Sequence, residues 1–172
     1  MSANFFELFG LKNTYKLDAN TLETNYRVIQ SASHPDRFVT ATSTEKLHSM
    51  QIATLANEAY LILKNPANRA KYCLALQNID AVNELNTTMP ADFLMQQMDW
   101  REAIEDAKNA RITSALEQLL TEMQAEAEGL QVELIDLLDE KKDYINATDA
   151  TRKLIFIDKV SADIRKEIEH LD

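Results

Sequence analysis

Apolar residues recur three and four positions apart along the first half of the chain, which is the spacing of amphipathic helices. This spacing predicts a hairpin of two helices, over residues 18–33 and 45–64. A cluster of phenylalanines within 4–11 predicts a short helix that packs against the hairpin. Pro66 opens a fourth helix that extends to residue 77. We therefore expect a small all-helical domain in this half of the chain.

The second half of the chain carries longer helical patterns. Three helices are predicted, over residues 92–109, 113–143 and 149–171. The apolar positions of the last two helices form matching stripes of the kind seen in coiled coils, so a three-helix bundle is the simplest packing. The predicted fold class is all-α: a helical hairpin with short helices, followed by a C-terminal three-helix bundle.

The two halves are separated by a stretch in which the apolar periodicity fades and Asn, Asp and Thr accumulate. Pro90 ends this stretch, and the next helical pattern begins directly after it. We predict a first domain over 1–77, a linker over 78–90 and a second domain over 91–172.

The two hairpin helices are joined by a polar loop that contains His34, Pro35 and Asp36, followed by Arg37. Proline fixes its own φ and disfavours helical backbone in the residue before it, so the incoming helix should end at Ser33 and the loop should be stiff. A histidine ring can donate and accept hydrogen bonds, whereas a carboxylate only accepts them. The loop is a candidate for a directional polar contact with a partner; an ordinary turn in a helical protein is the alternative.

The first helix of the predicted bundle has apolar residues on two sides. One stripe is assigned to the bundle core and consists of Phe93, Trp100, Ile104 and Ala107. The opposite side combines apolar side chains with carboxylates: Leu94, Met95, Met98, Asp99, Glu102, Glu105 and Asp106. This patch either packs beneath the first domain or binds a partner, and methionine suits both roles. On the last helix, Phe156 lies off the apolar stripe and requires a cover.

Composition excludes several classes of function. The formal net charge is −10 and the pI is about 4.8, whereas nucleic-acid binders concentrate Lys and Arg. Only two glycines occur, so a glycine-rich phosphate loop is absent. No apolar run is long enough to span a membrane, and the lone Cys73 suits a reducing compartment. We expect a cytoplasmic protein that binds neither nucleic acid nor a membrane.

An enzyme is the contrasting hypothesis, with His34 and Asp36 as an acid–base pair. Two residues on an exposed loop have no pocket around them. His48 and His170 lack metal-ligand spacing to each other or to Cys73, and no nucleophile signature occurs. We therefore expect a protein without catalytic residues, metal ligands or a cofactor.

The hairpin with His34, Pro35 and Asp36 in its loop resembles the J domain of the DnaJ family of co-chaperones. Taken as a whole, the sequence resembles the HscB type of J-domain protein, which works in iron–sulfur cluster assembly. The matching segments extend through both predicted domains and are residues 6–11, 34–38, 69–72, 93–95, 101–102 and 152–159.

This resemblance implies two binding surfaces and no enzyme activity. His34, Pro35 and Asp36 would contact an HscA-type heat-shock chaperone and stimulate its ATPase, and Arg27 and Arg37 are assigned to the same contact. A patch on the second domain would bind the cluster scaffold protein of the IscU type: Leu94, Met95, Met98, Asp99, Arg101, Glu102, Asp106 and Phe156. The protein itself would bind neither cluster nor metal. The alternative within this class is a J-domain co-chaperone that serves a different client.

The chain departs from the family pattern in the hairpin. Relatives usually carry an aromatic residue before the tripeptide and several basic residues on the preceding helix. Here Ser33 stands before the tripeptide, and Arg27 is the only base between residues 18 and 33. Because J domains attract an acidic partner partly by charge, the resemblance implies a weaker or more specialised chaperone contact with slower steering.

Overall fold

The computed structural model describes residues 4–83 and 89–172, and every regular element in these ranges is helical. The chain divides into two compact units, one ending at Cys73 and the other beginning at Leu74. The predicted all-α class is confirmed. The predicted linker lies partly outside the described residues, and the predicted domain limits stay predictions. The α-helices are α1 (Phe5–Leu8), α2 (Ala19–Ala32), α3 (Ser43–Lys64), α4 (Pro66–Ala75), α5 (Ala91–Ala110), α6 (Thr113–Leu134) and α7 (Tyr144–Leu171).

The core of the first unit forms where α1, α2 and α3 meet. Its buried side chains are Phe6, Phe9, Leu22, Ala56, Ala59 and Leu63. The rings of Tyr26 and Tyr60 stack across the hairpin with 4.1 Å between centroids, and the Tyr26 hydroxyl donates a hydrogen bond to Asn57. Phe5 stacks on Tyr72 of α4, whose hydroxyl accepts a hydrogen bond from the Phe5 amide. The Tyr26 contacts join the two hairpin helices, and the Phe5 contacts join α1 to α4.

Side-chain caps set the starts of both hairpin helices. Asp18 caps α2, and hydrogen bonds from the Thr21 hydroxyl and the Asn20 amide lower the pKa of its carboxyl group. This cap is therefore complete at neutral pH and is lost only as the pH falls through the lowered pKa. Thr42 and Glu45 form a reciprocal capping box at the start of α3. The loop that joins α2 to α3 therefore ends at a defined residue, the N-cap Thr42.

The helices of the second unit form a three-helix bundle, as predicted, in which α6 and α7 pack most extensively. The buried side chains of α6 recur at helical spacing and are Leu116, Leu119, Met123, Leu130 and Leu134. On α7 the buried positions include Ala147, Ala150, Leu154, Ile157 and Ile164. The central parts of the two apolar stripes therefore form the bundle core, whereas Ile112, which the sequence places on the first stripe, is 48% exposed.

The helix predicted over 113–143 is interrupted near its end. α6 ends at Leu134, and a π-helical segment follows over Ile135–Glu140. Residues five apart lie on different sides of an α-helix but come together in a π-helix. Asp136 and Lys141 show this: the backbone amide of Lys141 donates to the Asp136 carbonyl, and the two side chains form an ion pair at 2.9 Å.

The last helix begins earlier than predicted. α7 starts at Tyr144 rather than at residue 149 because Asp143 provides an N-cap. The Asp143 carboxylate accepts hydrogen bonds from the backbone and side-chain amides of Asn146. The additional turn brings Ala147 into the buried core.

Replacement of a core leucine should destabilise the second unit. We expect Leu116→Ala to lower the free energy of unfolding by about 2–5 kcal/mol, because this fully buried side chain would leave a cavity. Urea unfolding followed by circular dichroism measures the change. Glu117 is exposed, so Glu117→Ala is the matched control, with an expected change within about 0.5 kcal/mol. Equal stabilities of the two variants would contradict the position of Leu116 in the core.

Candidate functional site

The loop between α2 and α3 is a helical turn, which the sequence did not predict. The His34 backbone is extended (φ −62°, ψ 136°), as expected before proline, and a 3₁₀ turn follows over Pro35–Phe38. The turn closes with a hydrogen bond of 3.0 Å from the Arg37 amide to the His34 carbonyl. α2 ends just before Ser33, whose hydroxyl donates to the Ile29 carbonyl. The predicted helix stop is confirmed, and the turn explains how the loop is kept stiff.

One local hydrogen bond links the His34 ring to the backbone of Asp36. Nδ1 of His34 accepts from the Asp36 amide at 3.2 Å, so a neutral ring carries its proton on Nε2. The Asp36 carboxylate lies 3.6 Å from the same Nδ1. The two side chains are 55% and 88% exposed. The ring therefore retains a donor, and the carboxylate its acceptors, for contact with a partner.

Four of the predicted chaperone-contact residues share one concave surface beside the 3₁₀ turn. A cavity of about 460 Å³ is lined there by Arg27, Gln30, Ser31, His34, Asp36 and Arg37. Pro35 is not part of this lining and stands at the first position of the 3₁₀ turn. Gln30 and Ser31 were missed by the sequence analysis. Their positions three and four residues after Arg27 on one face of α2 are the signal that identifies them.

The charges of this surface are nearly balanced. Arg27 donates to Glu23 one turn earlier on α2, at 2.8 Å, and this hydrogen bond raises the pKa of the guanidinium. Arg37 and Asp36 supply one further charge of each sign. Arg27, the single base of α2, is therefore paired with an acid of the same helix.

Helix α5 buries one face and exposes the other. Phe93, Trp100 and Ala107 are buried, as predicted for the core stripe, and Ile104 is half-buried. The apolar side chains of the opposite face, Leu94, Met95 and Met98, are 45%, 65% and 70% exposed. The charged residues beside them are exposed as well: Asp99, Arg101, Glu102, Glu105 and Asp106. The predicted scaffold residues, apart from Phe156, thus lie on the exposed side of one helix.

Phe156 of α7 is covered by its own domain. Its ring stacks on Trp100 with 6.3 Å between centroids and 9° between planes, and it meets the Phe93 ring edge-on at 5.7 Å. The Arg101 guanidinium lies 5.5 Å from the centroid of the same ring. The expectation that this phenyl ring needs a cover is met by α5. Half-buried Phe156 joins α7 to α5 beside the exposed patch.

Known proteins resemble the chain over its whole length. It is 46% identical to the co-chaperone protein HscB homolog of Burkholderia mallei (strain SAVP1), with 97% of this chain and 95% of the relative aligned. The HscB homolog of Paraburkholderia phymatum is 44% identical over 100% of this chain and 98% of the relative. The chain belongs to the HscB family of co-chaperones.

A family model and solved structures agree with this membership. The model described as the HSCB C-terminal oligomerisation domain matches residues 89–165. The chaperone HscB from Vibrio cholerae is 34% identical and has a TM-score of 0.84 over 99% of this chain and 100% of that chain. The human co-chaperone protein HscB, 24% identical with a TM-score of 0.87 over 95% and 81%, shares the fold. The chain is a J domain followed by a C-terminal helical domain, and it is a J-domain co-chaperone of iron–sulfur cluster assembly.

Within residues 4–83 and 89–172, no group of three or more His, Cys, Asp or Glu side chains is arranged to hold a metal ion. None of the helices in those ranges is both long and apolar enough to cross a membrane. The relatives are named as co-chaperones, not as enzymes.

Trp100 is the single tryptophan of the chain, so its fluorescence reports on the contact with Phe156. We expect Phe156→Ala to expose the indole to water and shift its emission to longer wavelength, because the stacked partner ring is removed. Met95→Ala, on the exposed face of α5, is the control and should leave the emission unchanged. Identical spectra for the two variants would contradict the stacked arrangement.

Proposed function

We propose that this co-chaperone binds an IscU-type cluster scaffold protein, delivers it to an HscA-type heat-shock chaperone and stimulates the ATPase of that chaperone. The observation that carries the proposal is a pair of exposed surfaces with different chemistry on separate units. One is the polar loop. The other is the Leu/Met patch, which consists of the exposed side chains of Leu94, Met95 and Met98 on α5. The J domain would span 1–77 and the scaffold-binding domain 91–172. The proposed site of action is the cytoplasm, and the hydrolysed ATP is bound by the chaperone.

The chaperone contact is assigned to His34, Pro35, Asp36, Arg27 and Arg37. The 3₁₀ turn fixes the backbone that carries the imidazole ring and the carboxylate before a partner arrives, so little backbone entropy is lost on binding. The cavity beside the turn offers a recess for a side chain of the chaperone. An exposed donor and an exposed carboxylate, side by side, favour a partner surface with a matching acceptor and a basic donor.

The scaffold contact is assigned to the exposed face of α5 together with Phe156. Clustered apolar side chains on a protein surface are typical of interfaces, and methionine adapts its shape to a partner. The carboxylates beside them form a polar rim that favours a basic partner surface. The complete set is Leu94, Met95, Met98, Asp99, Arg101, Glu102, Asp106 and Phe156.

The nearly balanced charge of the loop surface predicts an approach to the chaperone without strong electrostatic steering. Arg27 is paired with Glu23, which leaves α2 without an unpaired base. Ser33, at the position where relatives usually carry an aromatic residue, is buried and bonded within α2. We therefore propose that association with the chaperone depends only weakly on salt concentration.

Neutralising the loop carboxylate should weaken ATPase stimulation. We expect Asp36→Asn to raise the concentration needed for half-maximal stimulation at least about 30-fold, because removing one partner of a charge-assisted interface contact costs about 2 kcal/mol or more. Steady-state ATP hydrolysis by an HscA-type chaperone measures the effect. Glu58→Gln is the matched control, since Glu58 is an exposed acid on α3 away from the loop cavity. Undiminished stimulation by the Asp36 variant would contradict the chaperone contact.

Truncating the apolar anchors should strongly weaken scaffold binding. We expect the triple variant Leu94→Ala, Met98→Ala, Phe156→Ala to weaken binding of an apo IscU-type scaffold at least about 100-fold, because buried apolar anchors supply most of the energy of an interface. Isothermal titration calorimetry measures it, with circular dichroism as a check on folding. The matched control is Val132→Ala with Ile145→Ala, which truncates two side chains at least as exposed as Met98 elsewhere on the bundle.

The titration also tests whether the IscU-type scaffold, rather than a different protein, is the client. If the unmodified protein does not bind the scaffold but stimulates the chaperone, the J-domain role stands and the client is a different protein. If the control variant loses binding as fully as the triple variant, the patch on α5 is not the contact.

A further inference from the structure

A groove runs between α5 and α7 beside the proposed scaffold surface. It has a volume of about 630 Å³, and its apolar lining consists of Ile104, Phe156, Val160 and Ile164. Arg101 and Phe156 line this groove and also belong to the proposed scaffold surface. The groove and the Leu/Met patch are therefore parts of one continuous surface of the second unit.

Four bases and three acids line the groove, which leaves an excess of one positive charge. Lys108 is already paired, because its amine lies 3.9 Å from Glu105 and 3.6 Å from Glu167 of α7. The other charged residues of the lining are Arg101, Lys159, Asp163 and Lys166. Neither Lys159 nor Lys166 forms an ion pair with any residue that the structure describes. In a chain with a net charge of −10, this groove is a local excess of positive charge.

A partner on the patch can reach the groove by following one side of α5. Leu94, Met98, Arg101, Glu105 and Lys108 recur at intervals of four, three, four and three, which places them along one stripe of the helix. At 1.5 Å per residue the stripe is about 21 Å long. Its first two residues belong to the apolar patch and its last three line the groove.

We infer that the α5–α7 groove is a second part of the scaffold-binding surface and that it takes an acidic segment of the scaffold through Lys159 and Lys166. The inference rests on the proposed function. The far edge of the patch is acidic, with Asp99, Glu102 and Asp106, whereas bases outnumber acids in the groove by four to three. A partner with the complementary arrangement binds in one direction only, since the reversed orientation places like charges together.

Charge reversal in the groove tests the inference. We expect Lys159→Glu with Lys166→Glu to weaken binding of the apo IscU-type scaffold about tenfold at low ionic strength, and less at high salt, because rim charges act through screened attraction. Isothermal titration at two salt concentrations measures the change. The matched control compares two single variants, Lys166→Glu and Arg165→Glu. Arg165 is exposed on the same helix and does not line the groove.

The outcomes distinguish failure of the groove assignment from failure of the proposed function. Native affinity in the double variant would overturn the groove assignment and leave the proposed function intact. An equal loss in the Arg165→Glu and Lys166→Glu variants would also overturn it, because a general charge effect would then explain the loss. Failure of the unmodified protein to bind the scaffold would overturn both. We expect Lys166→Glu to weaken scaffold binding and Arg165→Glu to leave it unchanged. We also expect the affinity of the unmodified protein to depend more steeply on salt than that of the double variant.

Discussion

The stacking of Phe156 on Trp100 fixes the rotation of α5 about its own axis, and the exposed surface of the second unit depends on that rotation. A helix in a bundle buries one stripe, so placing Phe93 and Trp100 inside leaves Leu94 and Met98 outside. The stack joins α5 to α7, which in turn packs along α6. The bundle core therefore supports the functional surface directly.

In the J domain the corresponding constraint lies in the backbone. Pro35 sets the start of the 3₁₀ turn, and the turn orients His34 and Asp36 although both side chains are exposed. Few tertiary contacts are needed for this, since the hydrogen bonds that shape the loop run between residues at most four apart. The loop can therefore hold its shape with its polar groups in water, where a chaperone has access to them.

Net charge alone gives little indication of how this acidic chain selects partners. The loop surface is nearly balanced because Arg27 is paired with Glu23. One edge of the α5 patch is acidic, and the α5–α7 groove has an excess of bases. Opposite charges at the two sides of an apolar patch contribute mainly to orientation and specificity, whereas the apolar anchors contribute most of the affinity.

The sequence by itself determined the all-α class, the hairpin with its stiff loop, the three-helix bundle and the two faces of α5. These features follow from local rules: the 3.6-residue period, the fixed φ of proline and side-chain capping. Only the tertiary structure decided that Phe156 is covered by Trp100, that the helix after α6 widens into a π segment, and that Arg101, Lys159 and Lys166 line one groove. Pairings between distant side chains depend on how the helices rotate and cross, and periodicity gives the buried face of each helix but not its neighbours across the interface.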